Sequence, residues 1–296
     1  MSTFRNSLLL AAAILAPLAM STGCKTYTSG LGGTATSGSA SSAEAGIVGI
    51  QEMWNTDRSS AEALDAIIAK LDALITAEPN NQDALILLAR AVYFRADGFT
   101  EDVEEKKALF ERGVTAGEAA MAADAGFKAQ IDKGVKASEA VSALQKDDQM
   151  AIYWTATNLG KWARASGFTT LVKYKGYIAK MMTHCLALDE TAYYAGPVRY
   201  WGAFYAVAPG FAGGDMNKSR EFFEKAKAMN PEAFSTYVLY ADTYAVKTQD
   251  RELFDSLLKY VIDTPSDVIP ELVAEQDVEK AKAKAMIAKA SELFAD

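Results

Sequence analysis

The chain has 296 residues, half of them hydrophobic and 23% charged, which suits a folded protein of one large or two small domains and argues against disorder. A formal net charge of −8 gives a nucleic-acid backbone no electrostatic reason to bind, so no nucleic-acid partner is expected. Two cysteines are too few for a disulfide framework, and a single histidine leaves little from which to build a His-based catalytic or metal site.

Residues 1–24 read as a secretory signal. Arg5 gives a positive start, Leu8 to Met20 an apolar stretch too short to span a bilayer, and Ser21, Thr22 and Gly23 a small-residue approach to Cys24. A cysteine at that place resembles a bacterial lipoprotein processing site, although Ser21 stands where such sites usually carry Leu. Ordinary signal cleavage beside an incidental cysteine is the alternative. The following segment, 25–46, is rich in Ser, Gly, Thr and Ala without apolar periodicity, and is expected to be a flexible tether. The expected product is a bacterial periplasmic protein, lipid-anchored to the envelope through Cys24, with the outer membrane favoured over the inner.

From 47 to 296 the pattern predicts a single helical domain. Ser59 and Glu62 have the spacing of a capping box, and Leu64, Ile67, Ile68, Leu71, Leu74 and Ile75 form one apolar stripe behind them. Glu78-Pro79-Asn80-Asn81 ends that helix, and Leu85, Leu88, Ala89 and Val92 open the next, over 82–96. Further helices are expected over 101–124, 128–146, 148–165, 171–187, 194–207, 216–229, 232–247, 250–262 and 275–294. No stretch shows strand alternation.

An internal repeat organises the second half. Ser219, Phe223, Ala226 and Pro231 match the second helix of a tetratricopeptide repeat, and Gly202 and Tyr205 fit its first helix. Small residues let two helices approach closely, the aromatic fills the space between repeats, and proline starts the next helix. Tyr237, Tyr240, Ala241 and Tyr244 continue in phase, and Pro265 follows Pro231 by 34 residues, the period of that repeat. Pro79 with Leu85, Leu88 and Ala89 gives a third unit. The expected fold is all-α, a tetratricopeptide-like helical-repeat solenoid with one or more inserted helices.

Several segments, in order, resemble a known family. They are Tyr153-Trp154 with Trp162, Leu186 to Asp189, Pro197 to Tyr205, Gly213-Gly214-Asp215 leading into Lys218 to Asn230, Val238 to Ala241, and Asp250 to Phe254. Together they resemble the T component of TRAP transporters, over roughly residues 50–296. The resemblance implies an all-helical repeat fold, a periplasmic location, homo-oligomers and a periplasmic solute-binding protein as partner. It does not imply catalysis.

The residues themselves carry no G-x-S-x-G, Walker, H-E-x-x-H or paired-cysteine motif, so neither enzyme activity nor a cofactor is expected. His184 and Cys185 are helix neighbours that diverge by about 100°, a poor metal pair, read as a buried thiol beside a half-buried or surface imidazole. Asp215 reads as a helix N-cap and the preceding glycines as suppliers of positive φ. Asp250 and Arg251 are expected to cap and salt-bridge the next helix, and the lysines of the last helix to form a solvated face.

The aromatics Tyr153, Trp154, Tyr200, Trp201, Tyr205, Tyr237, Tyr240 and Tyr244 are expected mostly to pack the repeats. The same residues are candidates for a ligand groove, because first helices line the concave face of a solenoid. Phe211, in a loop longer than the standard repeat turn, is a candidate partner contact. The function expected is a non-catalytic scaffold of a TRAP-type uptake system that binds a solute-binding protein, with a hydrophobic ligand as a further option. A general envelope-assembly adaptor without a small ligand is the alternative.

Overall fold

The computed structural model describes Leu31 and residues 40–294, with side chains from Gly46 onward in the first helix. The signal segment, Cys24 and most of the expected tether lie outside the described residues. Every regular element among the described residues is helical.

Helix α1, Ala40–Thr56, begins inside the stretch expected to be tether, and buries Ile47, Ile50 and Trp54 at three- and four-residue spacing. Helix α2, Ala61–Ala77, buries Leu64, Ile67, Ile68 and Leu71, the stripe expected from sequence. Its cap is one residue off the expectation: Ser60 accepts from the Ala63 amide at 3.2 Å, while Ser59 turns back to Asp57. Asp57 thus claims the hydroxyl that the capping-box spacing assigned to the helix. Asn81 caps α3, Gln82–Phe99, and Asp102 caps α4, Val103–Ala122. Each such cap contributes about 1 kcal/mol by satisfying an otherwise free amide.

The helix expected over 128–146 is broken. Helix α5, Ala125–Asp132, stops before Gly134, whose φ of 79° no right-handed helix accommodates, and a short α6, Ala137–Ala140, runs into two 3₁₀ turns. Two longer helices follow, α7, Gln149–Ala165, and α8, Phe168–Leu188. Helix α9, Ala192–Val207, packs on α10, Met216–Met229. Beyond these come α11, Phe234–Tyr240, a π-type turn over Ala241–Ala245, α12, Val246–Thr248, and α13, Arg251–Asp263. The chain closes with α14, Val273–Ala288, and α15, Ala290–Leu293.

The repeat spacing translates into contacts at α9–α10. Ser219, Phe223 and Ala226 are fully buried. Ser219 donates to the Gly202 carbonyl at 2.8 Å. A Cβ on Gly202 would lie 2.8 Å from the Phe223 ring, so only glycine lets the two helices approach this closely. The caps expected on either side form as well: Asp215 accepts from the amides of Asn217 and Lys218, and Asp250 from that of Leu253. Arg251 pairs with Asp255 one turn on. Of the two loop glycines, Gly213 takes positive φ, at 95°, whereas Gly214 serves close approach to the Ala208 carbonyl.

Two main apolar clusters result. One joins α1 through α8; the other joins α9–α10 to α11, α13, α14 and α15. Helix α14 also packs against α3, bringing the end of the chain onto its beginning. No helix of the described residues is long and apolar enough to cross a membrane.

Candidate functional site

The contact between α14 and α3 places charged groups inside the molecule. On α3, Arg90, Tyr93 and Asp97 recur at three- and four-residue spacing, so they share one face. On α14, Glu275, Glu279 and Lys282 do the same. The two faces meet. Glu275 accepts from Arg90 at 2.8 Å and from Arg58 at 2.7 Å. Arg58 also donates to the Glu271 carbonyl and to the Trp54 carbonyl. Asp97 accepts from Lys161 of α7 at 2.5 Å and from Lys282 at 2.6 Å, and Lys282 binds Glu279 in turn.

Burial pushes the Asp97 carboxyl upward, but Lys161 and Lys282 outweigh it and hold the group well below the usual carboxylate range. The same partnership raises Lys282 despite its burial. Both groups are therefore charged at neutral pH. Their side chains nonetheless keep some accessible surface, 16% for Asp97 and 30% for Lys282, so they border open space rather than solid core.

Aromatic rings surround the arginines. The Arg90 guanidinium lies 4.7 Å from the Trp54 ring and 5.1 Å from the Tyr193 ring, with Trp154 at 5.8 Å. Ring quadrupoles stabilise a desolvated cation there. Tyr153 and Trp154, neighbours on α7, both touch Tyr193, at centroid distances of 5.4 and 4.8 Å.

Tyr193 reaches this position through an uncommon backbone. Tyr193, Tyr194 and Ala195 are all left-handed, with φ of 44°, 54° and 58°. Each costs about 1–2 kcal/mol relative to a right-handed residue. The right-handed part of α9 starts only after them, so Pro197 sits in its first turn, where a missing amide hydrogen is harmless. The left-handed turn aims the two tyrosines differently: Tyr193 inward at Arg90, Tyr194 outward to bond Glu271 at 2.5 Å. Tyr194 and Glu271 border an outer cleft of about 380 Å³ with Met229, Pro231 and Ile269.

Arg199 lies deeper on α9. Its guanidinium donates to the Tyr194 carbonyl at 3.0 Å and, at 3.4 Å, to the hydroxyls of Thr236 and Tyr153. Burial raises the Tyr153 hydroxyl above its ordinary range even with Arg199 beside it, so it is a neutral phenol at any physiological pH.

The eight aromatic candidates fall into three groups. Tyr153 and Trp154 join Tyr193 and the arginines. Tyr200, Trp201 and Tyr205 run along α9 with Phe204 between them; Tyr200 and Trp201 are half-buried against the first cluster. Tyr237, Tyr240 and Tyr244 pack in the second cluster. There Tyr240 is wholly buried and stacked on Phe223 at 4.6 Å, and Tyr237 stacks on Tyr260 while donating to the Pro231 carbonyl. Phe211 is 92% exposed, on a loop braced by a hydrogen bond from Lys175 to the Ala212 carbonyl.

Cys185 is buried, its thiol pushed up to about 12 by burial, and His184 meets the Leu144 carbonyl at 2.9 Å; this is the buried thiol and half-buried imidazole expected. The arginines, Tyr193 and the Asp97–Lys282 pair were not among the sequence candidates. A signal for one existed: Arg199 is the only charged residue between Glu190 and Asp215.

Compared with known families, the chain matches the TRAP transporter T-component over residues 58–294. It belongs to that family. The match begins at Arg58 and ends at Phe294, just past α15, so it takes in the second apolar cluster, all of the first beyond α1, and the whole charged interior. As a T component the chain is an accessory member of a TRAP-type transport system in the cell envelope, in a family not known for catalysis. No curated protein matches the chain.

Proposed function

We propose that this T component is a non-catalytic periplasmic scaffold that binds the solute-binding protein of its TRAP system, self-associates, and is held to the outer membrane by acyl chains on Cys24. The observation that carries the reading is the family match across residues 58–294. We read the helix pairs as tetratricopeptide-like repeats, with α9–α10 as the clearest unit, and the docking surface as including Phe211. A phenyl ring at 92% exposure on a braced loop has no packing role within the chain, and aromatic residues are enriched at interfaces. A hydrophobic ligand in this reading lies along Tyr153, Trp154 and the half-buried run Tyr200 to Tyr205.

The test is sedimentation of the full chain, alone and with the solute-binding protein of the same TRAP system. Oligomers and a joint boundary at tens of micromolar are expected. A strict monomer that never co-sediments would sink the transporter-scaffold reading and favour a general adaptor.

A further inference from the structure

We propose that the interior of the molecule holds a specific site for an anionic amphiphile, whose carboxylate is taken by Arg199 and the Tyr153 hydroxyl and whose apolar body lies along Tyr193 and Trp154. The inference rests on the reading that this T component binds a ligand, and it names that ligand's chemical class.

Arg199 is the first ground. It is only 6% exposed, yet its hydrogen-bond partners are a carbonyl and two hydroxyls, all neutral. Among the described residues no carboxylate pairs with it. Taking a guanidinium out of water without a counter-charge is costly, and buried arginines are ordinarily paired. The two hydroxyl contacts are long, at 3.4 Å, which leaves donor capacity for a better acceptor. Arg90, 5.1 Å from the Tyr193 ring, adds an unmet donor: its Nε is buried and has no acceptor.

The interior charge balance is the second ground. The ion pairs that join α3, α7, α14 and Arg58 comprise four cations and three carboxylates, and Arg199 stands apart from them with neutral partners only. Glu271 does not redress this, because Arg58 takes only its carbonyl and its carboxylate turns to Tyr194 at the outer rim. Within this region the cations therefore outnumber the carboxylates, a local surplus that an anion beside Arg199 would offset.

Geometry is the third ground. The strained turn at Tyr193–Ala195 holds the Tyr193 ring against Trp154 and Tyr153. The same turn presents the Tyr194 carbonyl that orients Arg199. Strain of this kind is retained where the surroundings over-determine it, and binding sites are among those places. Planar guanidinium donors accept a carboxylate in a two-point contact, and the neutral Tyr153 hydroxyl supplies a third donor.

The test compares octanoate with 1-octanol, probes of equal chain length that differ in the head group, by tryptophan fluorescence of the full chain. Trp154, one of four tryptophans, touches the proposed body site and contributes to the signal. Octanoate is expected to bind about tenfold tighter than octanol, the scale of one charge-assisted hydrogen bond. Arg199→Gln is expected to abolish that preference, bringing octanoate down to the affinity of octanol, with Arg199→Lys retaining part of it. Should Arg199→Gln lose its helical circular dichroism, Tyr153→Phe, which keeps the ring, is the second variant; about a threefold loss for octanoate alone supports the site. Equal binding of both probes by the natural chain overturns the anionic site but leaves a hydrophobic-ligand reading standing. A preference that survives Arg199→Gln, or Tyr153→Phe where that variant is needed, also overturns it. If neither probe binds, the anionic site and the ligand part of the proposed function fall together, while the solute-binding-protein partner is decided separately by sedimentation.

Discussion

Lys282 donates to Asp97 at 2.6 Å across 185 positions of sequence, and so ties the last long helix to the third. With Lys161 on its other oxygen, Asp97 is held as an anion between two lysines. Its folded pKa lies below its unfolded value, so the unfolded chain binds more protons and stability rises with pH through that window. The contribution is complete above about pH 4 and is lost as pH falls from there toward the depressed folded value. Asp97→Asn should therefore lower stability at pH 7 by on the order of 2 kcal/mol, with the gap to the natural protein narrowing below about pH 4. Urea unfolding at pH 7, 4 and 3 measures this. A gap that stays constant across the three would contradict the assignment.

Glu275 is shared by two arginines. Removing it leaves Arg58 and Arg90 without a counter-charge beside Trp54. Glu275→Ala is expected to cost about 3 kcal/mol, because breaking a buried pair strands a charge. Replacing Arg90 by Met, which keeps the length and contact with Trp54, should cost less. The comparison uses urea midpoints of the two variants. Equal losses would mean that packing and not charge holds α14 to α3.

The helix pair α9–α10 was legible in the sequence because its signal is local. Gly202, Ser219, Phe223 and Ala226 have fixed offsets, and each offset corresponds to a contact between adjacent helices. Caps at Asp215 and Asp250 were legible for the same reason, since a cap needs only its own three-residue neighbourhood. The ion network was not. Arg58 and Glu275 stand 217 positions apart, and neither lies in a pattern that names the other. Nor does Tyr-Tyr-Ala announce a left-handed turn, which tertiary contacts impose against local preference. The aromatic spacing indicated buried helices, but it did not separate Tyr240, which fills the core, from Tyr153, which meets a buried arginine.

Gly202 offers a test of that local packing. Gly202→Ala would push a Cβ to 2.8 Å from the Phe223 ring, which is fully buried and stacked on Tyr240. The clash should destabilise the protein by about 1–3 kcal/mol despite the better helix propensity of alanine. Thermal unfolding checks it. A variant as stable as the natural chain would show that α9 and α10 separate freely.

Cys24 lies outside the described residues, so its role rests on the sequence pattern. Cys24→Ala should move the protein from the membrane to the soluble fraction, because firm anchoring takes two acyl chains and the proposed reading puts them on Cys24. Intact mass of the native protein is the direct measurement. An unmodified Cys24, or a mature start at another residue, would sink the anchor.

Phe211 separates the scaffold reading from a purely structural one. The Pro209–Gly214 loop is held by its own backbone hydrogen bonds and by Lys175, so its shape does not depend on the ring. Phe211→Ala should leave the circular dichroism spectrum and the unfolding midpoint unchanged, since a side chain 92% exposed contributes little to folding. If the ring enters a pocket on the solute-binding protein, truncation should weaken the complex by roughly 2 kcal/mol, about thirtyfold in Kd. Phe168, at the start of α8, is the control: it is a second exposed phenylalanine, 65% accessible, away from the braced loop. Calorimetric titration of both variants with the solute-binding protein decides the matter. A loss confined to Phe211→Ala assigns the loop to the interface. Equal affinities for Phe211→Ala and the natural chain would remove the loop from it.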